Sequence, residues 1–249
     1  MIFDFRVFIG ESFDGKSQLV EDLLVNMDDL KIDMALACPF KPLSYDFDAA
    51  NQELSKSLKN YEDRLLGAAR IDPWQPDAPQ SLVHAVEDLG MRALYINPWE
   101  ENFRADIARL DSLMVVAGEK KIPVTIASGY PWLSEASQVS KLATRWPQVQ
   151  IVMTNGGQIN ISGLGQAGAA LALSQQANLS FDTAGIYRQD FIDEFVDEFC
   201  GERVFFASGA PYFYQRYEIK RVQMASIKDE YRQKVAGKNA LALFGIVNT

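Results

Sequence analysis

The residues able to do chemistry are few and widely spread. Asp4 and Arg6 lie in the first apolar run, IFDFRVF (2–8), Asp182 lies in LSFDT (179–183), and Asn155 follows VQIVMT (149–154). An aspartate at such a place can take or give a proton. A guanidinium can fork onto a carboxylate or phosphate. Asp4, Asp182 and Asn155 are therefore the candidate catalytic residues. Arg6, Tyr95, Asn97, Ser128, Asn155, Ser208 and Tyr212 are the candidate ligand-binding residues.

Other chemistries are poorly supplied. The single histidine, His84, lies in SLVHAVEDLG, a helical stretch, which reads as a surface or packing position. A mechanism needing two histidines is excluded, and no Ser-His-Asp triad can be assembled. There is no G-x-S-x-G elbow and no phosphate-loop lysine motif. Cys38 and Cys200 stand far apart, which suits small core residues in a reducing compartment better than a disulfide or a zinc knuckle.

The net charge of −9 argues against nucleic acid as a partner, because phosphate binding needs a basic stripe and the basic residues of 220–238 are interleaved with acids. The opening MIFDFRVFIG is too short and too charged for a signal peptide. No apolar run approaches the ~18 residues of a membrane span. A cytoplasmic protein, with no cofactor and no membrane partner, is the expectation.

What must position these residues is an alternation of short and long segments. Short runs at 2–8, 32–38, 64–71, 92–97, 123–128, 149–154, 179–183 and 203–208 read as strands. Amphipathic stretches at 17–30, 48–60, 78–89, 104–120, 134–145, 162–176, 188–199 and from about 215 to 244 read as helices. Eight strand–helix units imply parallel strands, and in 249 residues they suit one α/β domain, a closed (β/α)8 TIM barrel over 1–249. An open doubly wound sheet is the alternative, but the first turn, FIGESFDG, lacks its Gly-rich fingerprint. In a barrel the chemistry sits at the C-terminal strand ends. The loops there carry many aromatics, notably GYPWL (129–133) and PYFYQRY (211–217), as ligand pockets and interfaces do.

Seven segments in register resemble the amidohydrolase-related family: DFRVFIG, GMRALYINP, IPVTIASG, RWPQVQIVMTNGG, LSFDTAG, GERVFFASGAP and KNALALFGI. The resemblance implies a TIM barrel with one or two divalent metals at its mouth. It also implies that the family's metal ligands correspond here to Arg6, Phe8, Ala127, Asn155 and Gly209. Arginine only donates, and Phe, Ala and Gly offer no side-chain ligand. No metal site and no metal-activated hydroxide are then expected.

The first functional expectation is a catalytically degenerate barrel, a structural, regulatory or ligand-binding protein. It would be a homo-oligomer, or a hetero-oligomer with an active paralogue. In it Arg6 plugs the old metal site by pairing with Asp4, Asp182 or Asp72. The alternative is a metal-independent hydrolase or lyase. It would act on a small anionic cyclic or aromatic substrate anchored by Arg6, with Asp4 or Asp182 as base.

Overall fold

The computed structural model describes residues 1–158 and 163–247, with side chains described outside 163–164. Residues that alternate or run apolar form nine strands: β1 (Phe3–Glu11), β2 (Ser17–Gln18), β3 (Met34–Pro39), β4 (Leu65–Arg70), β5 (Ala93–Ile96), β6 (Val124–Ile126), β7 (Ile151–Met153), β8 (Leu179–Asp182) and β9 (Val204–Phe205). The helices are α1 (Val20–Leu30), α2 (Phe47–Leu58), α3 (Ala78–Glu87), α4 (Asp111–Lys120), α5 (Ala136–Arg145), α6 (Gly163–Gln175), α7 (Gln189–Glu198), α8 (Gln215–Met224), α9 (Asp229–Gln233) and α10 (Asn239–Leu243).

All eight expected strands form. The hairpin strand β2 was not anticipated, and it takes residues 17–18 from the expected first helix. The fourth helix also starts later than its apolar spacing suggested, because 104–107 is non-helical and a 3₁₀ turn, Ala108–Leu110, leads into α4. Position 162, where the sixth helix was expected to begin, lies outside the described residues.

The strands make one curled sheet in the order β2-β1-β3-β4-β5-β6-β7-β8-β9. Every neighbouring pair is parallel except the β1–β2 hairpin. Parallel pairing follows from the helical crossovers. The far edge returns to the start: Phe5 N–H donates to Phe206 O at 2.8 Å, Phe8 N–H to Ala210 O at 2.8 Å and Gly209 N–H to Arg6 O at 2.8 Å.

Two apolar layers result. Val7, Leu23, Leu82, Leu94, Val124 and Phe181 lie between sheet and helices. Phe3, Phe5, Phe8, Leu36, Tyr95, Val152, Phe205 and Phe244 fill the inside of the curl. Phe5 and Phe205 stack at 4.5 Å, and Phe244 closes the end beneath them, 5.9 Å from Phe5. Among the described residues, no helix is long and apolar enough to cross a membrane.

One irregularity decides the site. The β1–β3 register slips between Asp4 and Val7. A bulge breaks the two-residue alternation and re-aims side chains. Phe3, Phe5 and Phe8 all reach the interior as a result, while Val7 and Ile9 face the helices.

Candidate functional site

Spacing alone would put Asp4 and Arg6 on one face of an unbroken strand. The bulge separates them. Asp4 is fully buried, accepting from Ser208 N–H at 2.7 Å and from Gln215 Nε2 of α8 at 2.9 Å. Burial away from any cation pushes its carboxyl up to about 6, although Ser208 and Gln215 pull the other way.

Arg6 instead turns to the mouth. Its Nε donates to Asp182 Oδ2 at 2.7 Å and its Nη2 to Asp182 Oδ1 at 3.2 Å, a bidentate pair with side-chain exposures of 5% and 0%. Burial opposes the guanidinium's charge, but Asp182 outweighs it and holds Arg6 above its ordinary value. Asp182 also accepts from the backbone N–H of Asn155 at 2.9 Å and of Ala184 at 3.2 Å. Of the three acids expected as partners for Arg6, the fold selects Asp182. Asp72 caps its own turn through Trp74 N–H at 2.9 Å.

Arg6 Nη1 donates to no described residue. Arg6 lines a cavity of about 460 Å³ at the C-terminal strand ends, together with Phe8, Tyr95, Asn155, Tyr212 and Phe213. Tyr95, Asn97, Asn155 and Tyr212 line the same cavity as Arg6. Asp4, Asp182, Ser128 and Ser208 do not line the cavity. Ser128 is fully buried, with its Oγ donating to Ile126 O at 2.7 Å, and Ser208 serves Asp4 and the Ala210 N–H. The expectation that Asp4 shares the Arg6 site is corrected by the bulge.

Asn155 owes its place to a tight turn. Its φ of 57° and that of Gly156, 63°, lie in the left-handed region that Asn and Gly tolerate. Its Nδ2 donates to Ala184 O at 2.9 Å. Phe8 packs against Phe40 at 5.3 Å, and edge-on against Tyr95 at 5.5 Å and Tyr212 at 5.4 Å, so the aromatic wall continues inward. Cys38 lies under it, its thiol pushed up to about 12 by burial against the pull of Arg6 and Arg70.

A second buried guanidinium is not among the candidate site residues. Arg70, at the end of β4, is 1% exposed; it binds Glu101 Oε1 through Nη2 at 2.6 Å and also pairs with Glu100. Its guanidinium lies 5.4 Å from the Tyr95 ring. Burial, outweighing that cation, keeps the Tyr95 phenol protonated well above its ordinary range. Glu100 lines the cavity, as do Phe13, Asp14, Trp99, Tyr130 and Thr154. Trp99 and Tyr130 stack with centroids 5.2 Å apart and planes 5° from parallel. The signal in sequence was WEEN (99–102), two acids directly after the strand-end Asn97–Pro98.

The positions that the resemblance assigns to metal ligands hold Arg6, Phe8, Ala127, Asn155 and Gly209, and the nearby carboxylates of Asp4 and Asp182 are occupied by the partners just named. Among the described residues, no three of His, Cys, Asp and Glu cluster as a metal site would require.

The family described as amidohydrolase matches residues 43–246. The chain belongs to the amidohydrolase family. Solved structures agree in fold along nearly the whole length. The 5-carboxyvanillate decarboxylase of Sphingomonas paucimobilis is 16% identical, with a TM-score of 0.73 over 93% of this chain and 84% of that one. A dihydroxybenzoic acid decarboxylase of Polaromonas, solved with bound manganese and the inhibitor 2-nitroresorcinol, is 13% identical, with a TM-score of 0.78 over 100% and 98%. The 4-oxalomesaconate hydratase of Rhodopseudomonas palustris is 18% identical, with a TM-score of 0.74 over 99% and 96%. No curated protein matches the chain in sequence.

These findings overturn the first functional expectation. The neighbours of this amidohydrolase-family chain are enzymes, two decarboxylases and a hydratase. The mouth is also open above Arg6 rather than filled by it. A catalytically degenerate structural or regulatory barrel is not what the fold and its cavity describe.

Proposed function

We propose that the chain is a lyase working without a divalent metal on a small anionic cyclic or aromatic substrate, in one closed (β/α)8 barrel spanning 1–249. The single observation that carries this is the cavity of about 460 Å³ lined by Arg6, whose Nη1 has no hydrogen-bond partner among the described residues once Nε and Nη2 pair with Asp182. That volume lies in the usual range for a small-molecule site, and seven of its fifteen lining residues carry aromatic rings. The hydrogen bonds from β1 to residues 206–210 support barrel closure.

The residues present do not fit a divalent ion. A site of that kind needs about three anionic or imidazole donors around one point. Here a guanidinium and a phenyl ring stand at two of the expected corners, and the nearest carboxylate has both oxygens on Arg6. Hydrolysis in this family depends on an activated hydroxide, whereas decarboxylation needs a held substrate and a proton but no attacking water. This chemistry, and the decarboxylases among the neighbours, favour lyase over hydrolase. Arg6 and the protonated Tyr95 would hold the anion. Asn155 and Asn97 would fix the ring's orientation, and the Phe8–Tyr212 wall would exclude water.

The test is turnover of a panel of small ring carboxylates by chelator-treated protein, followed by ultraviolet absorbance and CO2 release. Activity should survive chelation and fall about 100-fold or more in Arg6→Gln. Activity that appears only with added manganese, or an Arg6→Gln protein as active as the parent, would overturn the reading.

A further inference from the structure

The charges around the cavity do not balance. Two guanidiniums, Arg6 and Arg70, and the ammonium of Lys41, which donates to the Glu100 backbone carbonyl, stand against four carboxylates: Asp182, Glu100, Glu101 and Asp14. The inner acids Asp182 and Glu101 are tied to the two arginines, at 2.7 Å and 2.6 Å. Glu100 shares Arg70 with Glu101, and Asp14, on the exposed β1–β2 hairpin, has no cation paired with it among the described residues. The surplus of negative charge therefore lies at the outer end. A simple anion entering this cavity would meet the Arg6 guanidinium and repulsion from the outer acids.

The two outer acids line the same cavity, as does Tyr212. Burial pushes the Tyr212 phenol up to about 12, and the neighbouring charges of Glu100 and then Asp14 add to it. Around them stand the rings of Phe13, Trp99, Tyr130 and Phe213. Aromatic faces beside a carboxylate are the usual setting for a cationic nitrogen. At the other end Arg6, 5% exposed, has no partner for Nη1 among the described residues, which points to an anionic group there.

We infer that the preferred ligand is a small zwitterion, a ring carrying a carboxylate toward Arg6 and an aliphatic ammonium toward Glu100, Asp14 and the Trp99–Tyr130 stack. This rests on the proposed anion anchor at Arg6 and narrows its substrate class. The ammonium restores charge balance at the rim, and the stacked rings provide a preformed surface for it.

Calorimetric titration with 4-(aminomethyl)benzoate, 4-methylbenzoate and benzylamine separates the contributions. The first should bind about ten-fold or more tighter than the second, the size of one partly desolvated cation–aromatic or charge-assisted contact. Asp14→Asn, on the exposed hairpin, should cut that preference without changing the melting temperature. Adding Glu100→Gln should bring it close to unity. Equal or tighter binding of 4-methylbenzoate, a preference unchanged in both variants, or no binding of any probe overturns the inference. If the two carboxylates bind equally and both depend on Arg6, the zwitterion fails while the anion anchor stands. If benzylamine matches 4-(aminomethyl)benzoate, the anchor at Arg6 fails.

Discussion

Replacing Asp4 by Asn should make the protein more stable at neutral pH, a direction opposite to that of most substitutions at fully buried positions. Asp4 has no cation beside it; its partners are Ser208 N–H at 2.7 Å, Gln215 Nε2 at 2.9 Å and, at 3.4 Å, Arg6 N–H. Burial raises its carboxyl from the ordinary 3.8 to about 6. The folded chain then holds a proton between about pH 4 and 6 that the unfolded chain has already released. Stability from this group is full below the lower value, declines as pH rises through the window, and is flat above about 6. At 1.36 kcal/mol per tenfold, a gap of about two decades is worth about 3 kcal/mol. Asn carries no charge to desolvate. Its Oδ1 can keep the Ser208 bond, and its amide can donate to Gln215 Oε1, a buried acceptor with no partner in the parent, once the Gln215 amide turns over. Urea denaturation from pH 4 to 7 on parent and variant gives a difference curve in which other groups cancel. It should rise by about 3 kcal/mol toward pH 7. A flat difference curve, or a variant less stable than the parent at pH 7, would refute the reasoning.

Three further outcomes follow from the site. Arg6→Gln leaves Asp182 buried without its counter-charge and should cost about 3–5 kcal/mol, part of it regained by adding Asp182→Asn; scanning calorimetry on the single and double variants measures both. Gly209→Asp, which puts an acid at a family ligand position, should lower stability by about 1–2 kcal/mol because φ there is +62°. Its Cβ would also stand 3.0 Å from Phe213 Cδ2 and 3.4 Å from Arg6 Nη1. The new carboxylate would pair with Arg6, so elemental analysis should find no stoichiometric zinc or manganese. Iodoacetamide at mildly alkaline pH should alkylate exposed Cys200 and spare Cys38, whose buried thiol is pushed up to about 12; a native-state adduct on Cys38 by mass spectrometry would contradict that placement.

The sequence by itself determined the α/β alternation, because strand and helix periods are local properties of the chain. Eight apolar runs became β1 and β3–β9, and the stretches between them became helices. At the positions that the resemblance assigns to metal ligands it set Arg6, Phe8, Ala127, Asn155 and Gly209, of which only Asn155 offers a side-chain lone pair. It placed Arg6, Tyr95, Asn97, Asn155 and Tyr212 at strand ends that do meet in one cavity. It could not show which acid pairs with Arg6. That depended on the bulge between Asp4 and Val7, a register slip set by pairing with β3 and invisible to a spacing rule. Only the tertiary structure turned Asp4 toward Gln215 of α8 and brought Asp182 onto Arg6 from 176 residues away. Nor could it pair Arg70 with its two glutamates, or reveal the surplus of acid at the rim. Charge balance in a pocket depends on which loops converge there, and these come from the β1–β2 hairpin and the turns after β5, β6 and β9.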